Sequence, residues 1–433
     1  MRIAIATLGC KINQYDSAVI QSRLEETRHS FVPFEEEADF YIVNACTVTD
    51  RADWEARQLV RRAKRRSPAA RVLVTGCYAQ IKPQEVAEVP GVDFVVGLNR
   101  VPDLLRFVDQ TEASSGADRI AVGQVRNERG VPVLGARALP GHTRAFLKIQ
   151  EGCNYSCTYC IIPAARGLSR SVPPEDIMRE IRALAEKGFV EIVLTGIHLG
   201  GYGHDLNPRM DLTGLLEIVL EKSPIRRLRL SSLDPREVPE RLLRLMERSG
   251  TLCPHLHVCA QAGDDLILKR MRRNYDAAYY RDIVIRAREL LPDAALGSDI
   301  IVGFPGESEA SFERQMEFFD SLPLTYFHVF PYSIRSTTVA AGLPGHVPSA
   351  VKKERARRMR ELGTRKKREF YRRFLGRRVS VLVEGDSNVA GARRGYSRNY
   401  LPVSVRGEAR VNEEVEVAIE GLENVSLIGQ AVN

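Results

Sequence analysis

Residues 151–167 read EGCNYSCTYCIIPAARG, and their three cysteines decide how the rest of the chain is read. Cys153, Cys157 and Cys160 are spaced C-x3-C-x2-C, with Tyr159 directly before the last. Thiolates hold iron–sulfur cubanes, normally four to a cluster. Three on one short loop can hold three irons and leave the fourth open to a substrate or cosubstrate, as an open catalytic zinc site does. The bland alternative is a structural zinc knot. Zinc wants a fourth Cys or His close by, and the next histidine along the chain is His198.

Working outward, the loop follows an apolar run, Ala145–Gln150, that reads as a strand. Five more such runs recur with amphipathic helical stretches between them: Val190–Thr195, Arg227–Ser231, His255–Gln261, Gly297–Val302 and Tyr326–Pro331. Six β/α units predict a partial barrel over residues 144–375, with its chemistry at the carboxyl ends of the strands. Upstream, residues 1–125 alternate in the same way, with strands expected at Arg2–Leu8, Ala38–Asn44, Arg71–Thr75 and Phe94–Val96 and a helix from about Ser17. Cys10, Cys46 and Cys77 each fall one to three residues beyond one of these strands. The carboxyl ends of parallel strands share one edge of an open sheet, so the three thiols converge on one crevice. That makes a second candidate metal site with three ligands; three unrelated buried thiols are the alternative. The Gly/Pro/polar-rich stretch 126–143 reads as a linker. Residues 376–433 alternate apolar and polar with Gly and Asn between the runs, which predicts a small antiparallel β-barrel of the oligonucleotide-binding kind. The fold class is therefore α/β, in three domains.

With 433 residues, 44% hydrophobic and 27% charged, the composition is that of a soluble globular protein of two or three domains. No apolar run approaches the ~18 residues of a membrane span, and MRIAIATLGC turns polar too soon for a signal peptide. Eight cysteines are too sparse for a disulfide scaffold, so reduced thiols in the cytoplasm are expected. The net charge of +8 is uneven: residues 351–378 carry fourteen Lys/Arg against three Glu, which leaves −3 for the rest of the chain. Such a block points to a phosphate backbone; a solvated helix face is the alternative.

Several motifs together resemble one family. TLGCKINQYDS, IVNACTVT, TGCYAQ, the three-cysteine loop, SDIIVGFPGES and VFPYSIRS, over essentially the whole chain, are similar to the tRNA methylthiotransferases of the radical S-adenosylmethionine (SAM) superfamily. The resemblance implies two 4Fe–4S clusters. Cys153, Cys157 and Cys160 would hold the one that cleaves SAM to a 5′-deoxyadenosyl radical, and Cys10, Cys46 and Cys77 an auxiliary one. It also implies a C-terminal TRAM-like RNA-binding domain, a tRNA anticodon stem-loop as partner and a low-potential electron donor. Lys11 and Gln14 in GCKINQYDS look most like the branch that methylthiolates carbon 2 of N6-threonylcarbamoyladenosine. The branches acting on isopentenyladenosine or on a ribosomal-protein aspartate remain alternatives, as does a non-catalytic zinc-containing RNA-binding protein. By the same analogy Tyr159 would pack on SAM, Gln261 and Asp299 would make polar contacts to it, and Gly303 would let the backbone approach the nucleoside. His255 and His257 match the family's histidine-bearing strand, whereas Cys259 and Ala262 depart from its pattern. Cys253 and Cys259 lie ~20 Å apart on a strand and cannot share an ion. Trp54, on the helix after Cys46, is expected to pack.

Overall fold

The computed structural model describes residues 1–27, 29–109, 119–131 and 143–432, so much of the linker expected at 126–143 lies outside the described residues. The N-terminal unit runs β1 (Arg2–Thr7), α1 (Lys11–Glu25), β2 (Ser30–Phe31), β3 (Phe40–Ala45), α2 (Asp50–Arg66), β4 (Arg71–Gly76), α3 (Cys77–Ile81), α4 (Pro83–Ala87), β5 (Phe94–Val96), α5 (Val101–Asp109) and β6 (Ile120–Ala121). Its sheet has the order β2-β1-β3-β4-β5-β6 and every pairing is parallel. Strand β3 is buried at every position because both faces are covered: Tyr41 and Val43 face one core, Phe40 and Ile42 the other. Helix α2 buries Ala56, Val60 and Ala63 at helical spacing, and the Thr49 side chain caps it by accepting from the Ala52 amide.

Helix α1 starts at Lys11, one and a half turns earlier than the sequence suggests. Its first turns are polar yet buried, because distant groups satisfy them. Asn13 donates to the Leu8 carbonyl (2.8 Å), while Asn44 donates to the Asn13 carbonyl and the Ser17 hydroxyl (2.9 Å each).

The central unit runs β7 (Arg144–Glu151), α6 (Ile162–Arg166), β8 (Arg170–Ser171), α7 (Pro174–Glu186), β9 (Glu191–Gly196), α8 (Leu212–Lys222), β10 (Arg227–Leu230), α9 (Glu240–Arg248), β11 (His255–His257), α10 (Asp265–Arg270), α11 (Ala277–Leu290), β12 (Ala295–Val302), α12 (Glu309–Ser321), β13 (Tyr326–Pro331) and α13 (Ser349–Arg372). Its strands pair as β8-β7-β9-β10 and β11-β12-β13. Single bridges, Leu228 to Leu252 and Leu233 to Val258, carry the curve from one group to the other. Apart from the short β8 all are parallel, as six β/α units require.

The C-terminal unit, β14 (Arg378–Asp386), β15 (Ala392–Ser397), β16 (Pro402–Arg406), β17 (Glu414–Glu423) and β18 (Ser426–Val432), closes in the order β14-β15-β16-β18-β17. Four pairings are antiparallel and β16–β18 is parallel, since a ring of five strands cannot alternate all the way round. The turn after β15 plugs the amino-terminal end of the central barrel. There Arg227 donates to the Tyr396 carbonyl (3.1 Å), Arg229 to that of Arg398 (2.9 Å), and Asn399 to that of Asp293 (2.9 Å). Several basic residues of α13 and of the segment just after it pair with carboxylates far away in sequence. Arg355 meets Glu307 and Glu309, Arg358 meets Glu313, Arg365 meets Asp320, and Arg377 meets Asp293. Part of that charge run is thus spent on holding α13 to the barrel. Among the described residues, no helix is long and apolar enough to cross a membrane.

At the barrel floor, Glu191, Arg227 and Arg229 are all fully buried, and Glu191 accepts from Arg229 (2.7 Å) and Arg227 (2.8 Å). Burial would raise the Glu191 carboxyl, but Arg229 and then Arg227 outweigh it and hold it down at about 2. A carboxyl held below its unfolded value stabilises fully above about pH 4.5 and loses that contribution as pH falls towards 2. Glu191→Gln, which leaves buried Arg229 without a carboxylate and Arg227 with Glu414 alone, is expected to cost about 3–5 kcal/mol at pH 7. In urea melts across pH, the gap from wild type should narrow below about pH 4.5; a gap independent of pH contradicts the assignment.

Candidate active-site cleft

Three neighbouring strands of the N-terminal sheet deliver three cysteines to one edge. Cys10 lies three residues past β1 at the head of α1, Cys46 directly follows β3, and Cys77 directly follows β4. The turns that bring them together need glycine. Gly9 has φ +100°, and a Cβ there would stand 2.6 Å from the Cβ of Cys46; Gly76 has φ +91° and its Cβ would collide with Asn44. Cys46 and Cys77 are buried and Cys10 is exposed. The Cys46 sulfur accepts from the Val48 amide (3.5 Å) and the Cys77 sulfur from Arg166 Nε (3.3 Å). Burial, with the neighbouring Cys77 second, pushes the Cys46 thiol up to about 12; burial also raises Cys77, against the pull of Arg166. Without metal these two thiols keep their protons at neutral pH, and metal binding would displace them.

The second trio occupies the loop after β7, at the carboxyl end of the barrel. Cys153, Cys157 and Cys160 line a cavity of about 150 Å³ with Tyr159, Asp234, Gln261 and Arg273. The Cys153 sulfur accepts from the Tyr155 amide (3.4 Å) and the Cys157 sulfur from Arg273 (3.0 Å), whose guanidinium also pairs with Asp234. Burial raises the thiols of Cys153 and Cys160, to about 11 and about 12. The donor chemistry of both trios fits iron–sulfur clusters: each has three thiols, with N–H groups aimed at sulfur. A lone zinc ion, at Zn–S distances of about 2.3 Å, holds its thiolates within roughly 4 Å of one another. Among the described residues the group of candidate ligands with all atoms within 4.8 Å of one another is His257, Asp299 and His328, not either cysteine trio.

The loop that follows Cys46 and the three-cysteine loop of the barrel together wall one cleft. A cavity of about 220 Å³ is walled by Val48 and Thr49, just past Cys46, and by Tyr159, Cys160 and Ile162 of the barrel loop. Gln261, Asp299, Phe330 and Tyr332 complete its lining. Arg166, at the end of α6 and 1% exposed, ties the halves together. Besides the Cys77 sulfur, it donates to Glu151 (3.0 Å) within the barrel and to Asn13 (2.7 Å) and Asp16 (3.0 Å) across the interface. Buried Lys148 bridges the same Asp16 (2.8 Å) and Glu151 (2.7 Å). A second clasp joins Asp53 to Arg335 (2.7 Å) and Asp50 to Ser333 (2.9 Å).

Of the residues singled out from the sequence, Tyr159, Gln261 and Asp299 line this cleft. Gln261 adopts φ +63°, a conformation that non-glycine residues rarely take outside constrained sites. Asp299 is engaged by His257 (3.0 Å), His328 (3.1 Å) and the Cys259 thiol (3.3 Å). Burial opposes its ionisation, but the two imidazoles outweigh that and hold the carboxyl far below the usual range. Gly303 is not in either lining: the space a Cβ would take belongs to Lys352 of α13, so its φ of +71° serves helix packing. Trp54 does not pack as expected but is 56% exposed on α2; Val48 and Phe330, which line the cleft, are exposed as well. Sequence reasoning missed Arg166, Arg273 and His328. For Arg166 the available signal was one arginine in the otherwise apolar IIPAARG.

Comparison with known proteins adds the following. The radical SAM superfamily matches residues 147–319, and the uncharacterized protein family UPF0004 matches residues 2–97. Threonylcarbamoyladenosine tRNA methylthiotransferase MtaB of Aquifex aeolicus is 38% identical, over 97% of this chain and 100% of its own length. The Bacillus subtilis protein of the same name is 37% identical, over 96% and 93%. Among solved structures, the radical SAM methyltransferase TsrM of Kitasatospora setae, with cobalamin and a [4Fe-4S] cluster bound, superposes with a TM-score of 0.55 at 15% identity, over 78% of this chain and 77% of that one. That likeness is one of fold.

Arg166→Met should leave Glu151 and Asp16 without their guanidinium, at a cost of about 3–5 kcal/mol. Hydrogen exchange should show lost protection on both sides of the interface, in α1 and β7 alike, with Arg166→Lys restoring part of it. Protection lost on one side alone contradicts the bridging role.

Proposed function

We infer the reaction from the family to which this chain belongs, the threonylcarbamoyladenosine tRNA methylthiotransferases. The chain is a radical-SAM enzyme that methylthiolates carbon 2 of N6-threonylcarbamoyladenosine in tRNA. It uses SAM and a 4Fe–4S cluster. In our reading Cys153, Cys157 and Cys160 hold that cluster, and Cys10, Cys46 and Cys77 hold a second. When bound, the clusters supply the electron that splits SAM to a 5′-deoxyadenosyl radical and the place from which the methylthio group is delivered. The observation that carries this reading is the shared cavity, with Val48 and Thr49 beside one trio and Tyr159 and Cys160 of the other facing them.

The protein's own groups bind, orient and exclude water. The Tyr155 amide and Arg273 donate to sulfurs of the first trio, and the Val48 amide and Arg166 to sulfurs of the second. Such N–H groups favour the thiolate state and tune the bound cluster. Tyr159 and Gln261 line both cavities, and in this reading they contact SAM. The target base has to leave its stack to reach the cleft, and an anticodon loop offers an accessible base at low cost. Exposed Val48 and Phe330 offer that loop an apolar rim. The C-terminal barrel supplies a further RNA contact, and a low-potential donor supplies the electron. A cytoplasmic location follows from the substrate.

Nucleoside mass spectrometry of tRNA from a strain lacking the enzyme tests this directly. Expression of this chain should add a methylthio group to threonylcarbamoyladenosine and leave isopentenyladenosine unchanged. Replacing Cys10, Cys46 and Cys77 together by alanine should abolish that product, lower iron from about eight to about four per chain, and leave 5′-deoxyadenosine formation in place. Full iron content in the triple variant contradicts the second site.

A further inference from the structure

Lys11 opens α1 directly after Cys10 and is partly buried, and the fields of Tyr400, Arg144, Arg229 and Asp299 act on its ammonium. Each charged neighbour is already taken. Arg144 pairs with Glu384 (2.6 Å), Arg229 with Glu191 (2.7 Å), and Asp299 with His257 and His328. Among the described residues, nothing accepts from the Lys11 ammonium. A half-buried cation without a partner is unfavourable until an anion arrives.

Tyr400 marks the same spot from the C-terminal barrel. Arg144 donates to its hydroxyl (3.3 Å), the Arg229 guanidinium lies 4.8 Å from its ring centroid, and Tyr396 stacks on it at 5.0 Å. Its φ is +65°, a strained conformation for an aromatic residue, held where all three units meet. Beside it opens a cavity of about 120 Å³, lined in part by Tyr326, His328 and Tyr396. A lone ammonium and a phenol ringed by cations, next to a small cavity that His328 and Lys367 also line, together suit one carboxylate. Of the modified adenosines considered, threonylcarbamoyladenosine carries a carboxylate on its N6 substituent and isopentenyladenosine does not.

We propose that Lys11, with Tyr400 beside it, is the specificity-determining anion receptor of this enzyme and reads the carboxylate of the threonylcarbamoyl group. This rests on the functional reading above. The test compares anticodon stem-loop RNA bearing threonylcarbamoyladenosine with the same RNA bearing its neutral carboxyl methyl ester. Wild type should turn over the acid with a kcat/KM roughly 10- to 100-fold above that of the ester, the worth of one charge-assisted hydrogen bond. Lys11→Met should lose that preference and handle both as wild type handles the ester, while Lys11→Arg restores part of it. Iron content and SAM cleavage without RNA establish that both clusters survive beside Cys10. Equal turnover of acid and ester by wild type overturns the proposal without recourse to any variant. So does a Lys11→Met enzyme that keeps the preference, or one slowed equally on both, which would place a backbone phosphate on Lys11. Wild type that accepts neither RNA yet modifies isopentenyladenosine sinks the functional reading, and this proposal with it.

Discussion

A guanidinium with almost no exposure has to find its counter-charges inside the protein, and Arg166 finds them on both sides of a domain boundary. Glu151 comes from the barrel strand that leads into the three-cysteine loop, while Asp16 and Asn13 come from the helix that starts at Cys10. The same side chain donates to the Cys77 sulfur. Arg166 is fixed to the barrel trio through six residues of chain and to the N-terminal trio through hydrogen bonds. Sliding one unit over the other would leave buried charges unpaired, so the facing of the two trios is enforced electrostatically. A bidentate fork can meet several acceptors at once in a way that an ammonium cannot.

The same device recurs at the other end of the barrel. Glu191 gathers Arg227 and Arg229, and both arginines also donate to carbonyls of the β15–β16 turn. The chemistry-bearing end is thus tied to the N-terminal unit and the floor to the C-terminal unit. Lys11 belongs to the N-terminal unit and Tyr400 to the C-terminal barrel, and the two are electrostatic neighbours.

Much of this was legible in the chain. Parallel strands buried on both faces leave apolar runs, and a cysteine one to three residues past such a run has to lie at the sheet's carboxyl edge. Tyr159, Gln261 and Asp299 could be placed at the cleft for the same reason. What escaped was whatever depends on partners distant in sequence. KINQYDS looks like a polar loop, yet it is helix, because Asn44 and the Leu8 carbonyl satisfy its buried amides. The basic run of α13 gives no sign in its own sequence that Arg355, Arg358 and Arg365 have distant partners, yet acidic residues of α12 and of the loop before it pair with all three. Gly303 looked like a gap for a nucleoside, and Lys352 fills that gap. Arg166 carries no local mark beyond its unlikeliness among apolar neighbours.

The central claim, two clusters facing one cleft, is tested most directly by electron paramagnetic resonance of the anaerobically reduced protein. Spectra of the wild type are compared with those of two variants, each lacking one cysteine trio. Each variant should give a simple single-cluster signal, and the wild-type spectrum should be broadened or split beyond the sum of the two, because neighbouring paramagnets couple. A wild-type spectrum equal to that sum would place the clusters apart, and a single-cluster signal in the wild type would remove the second one altogether.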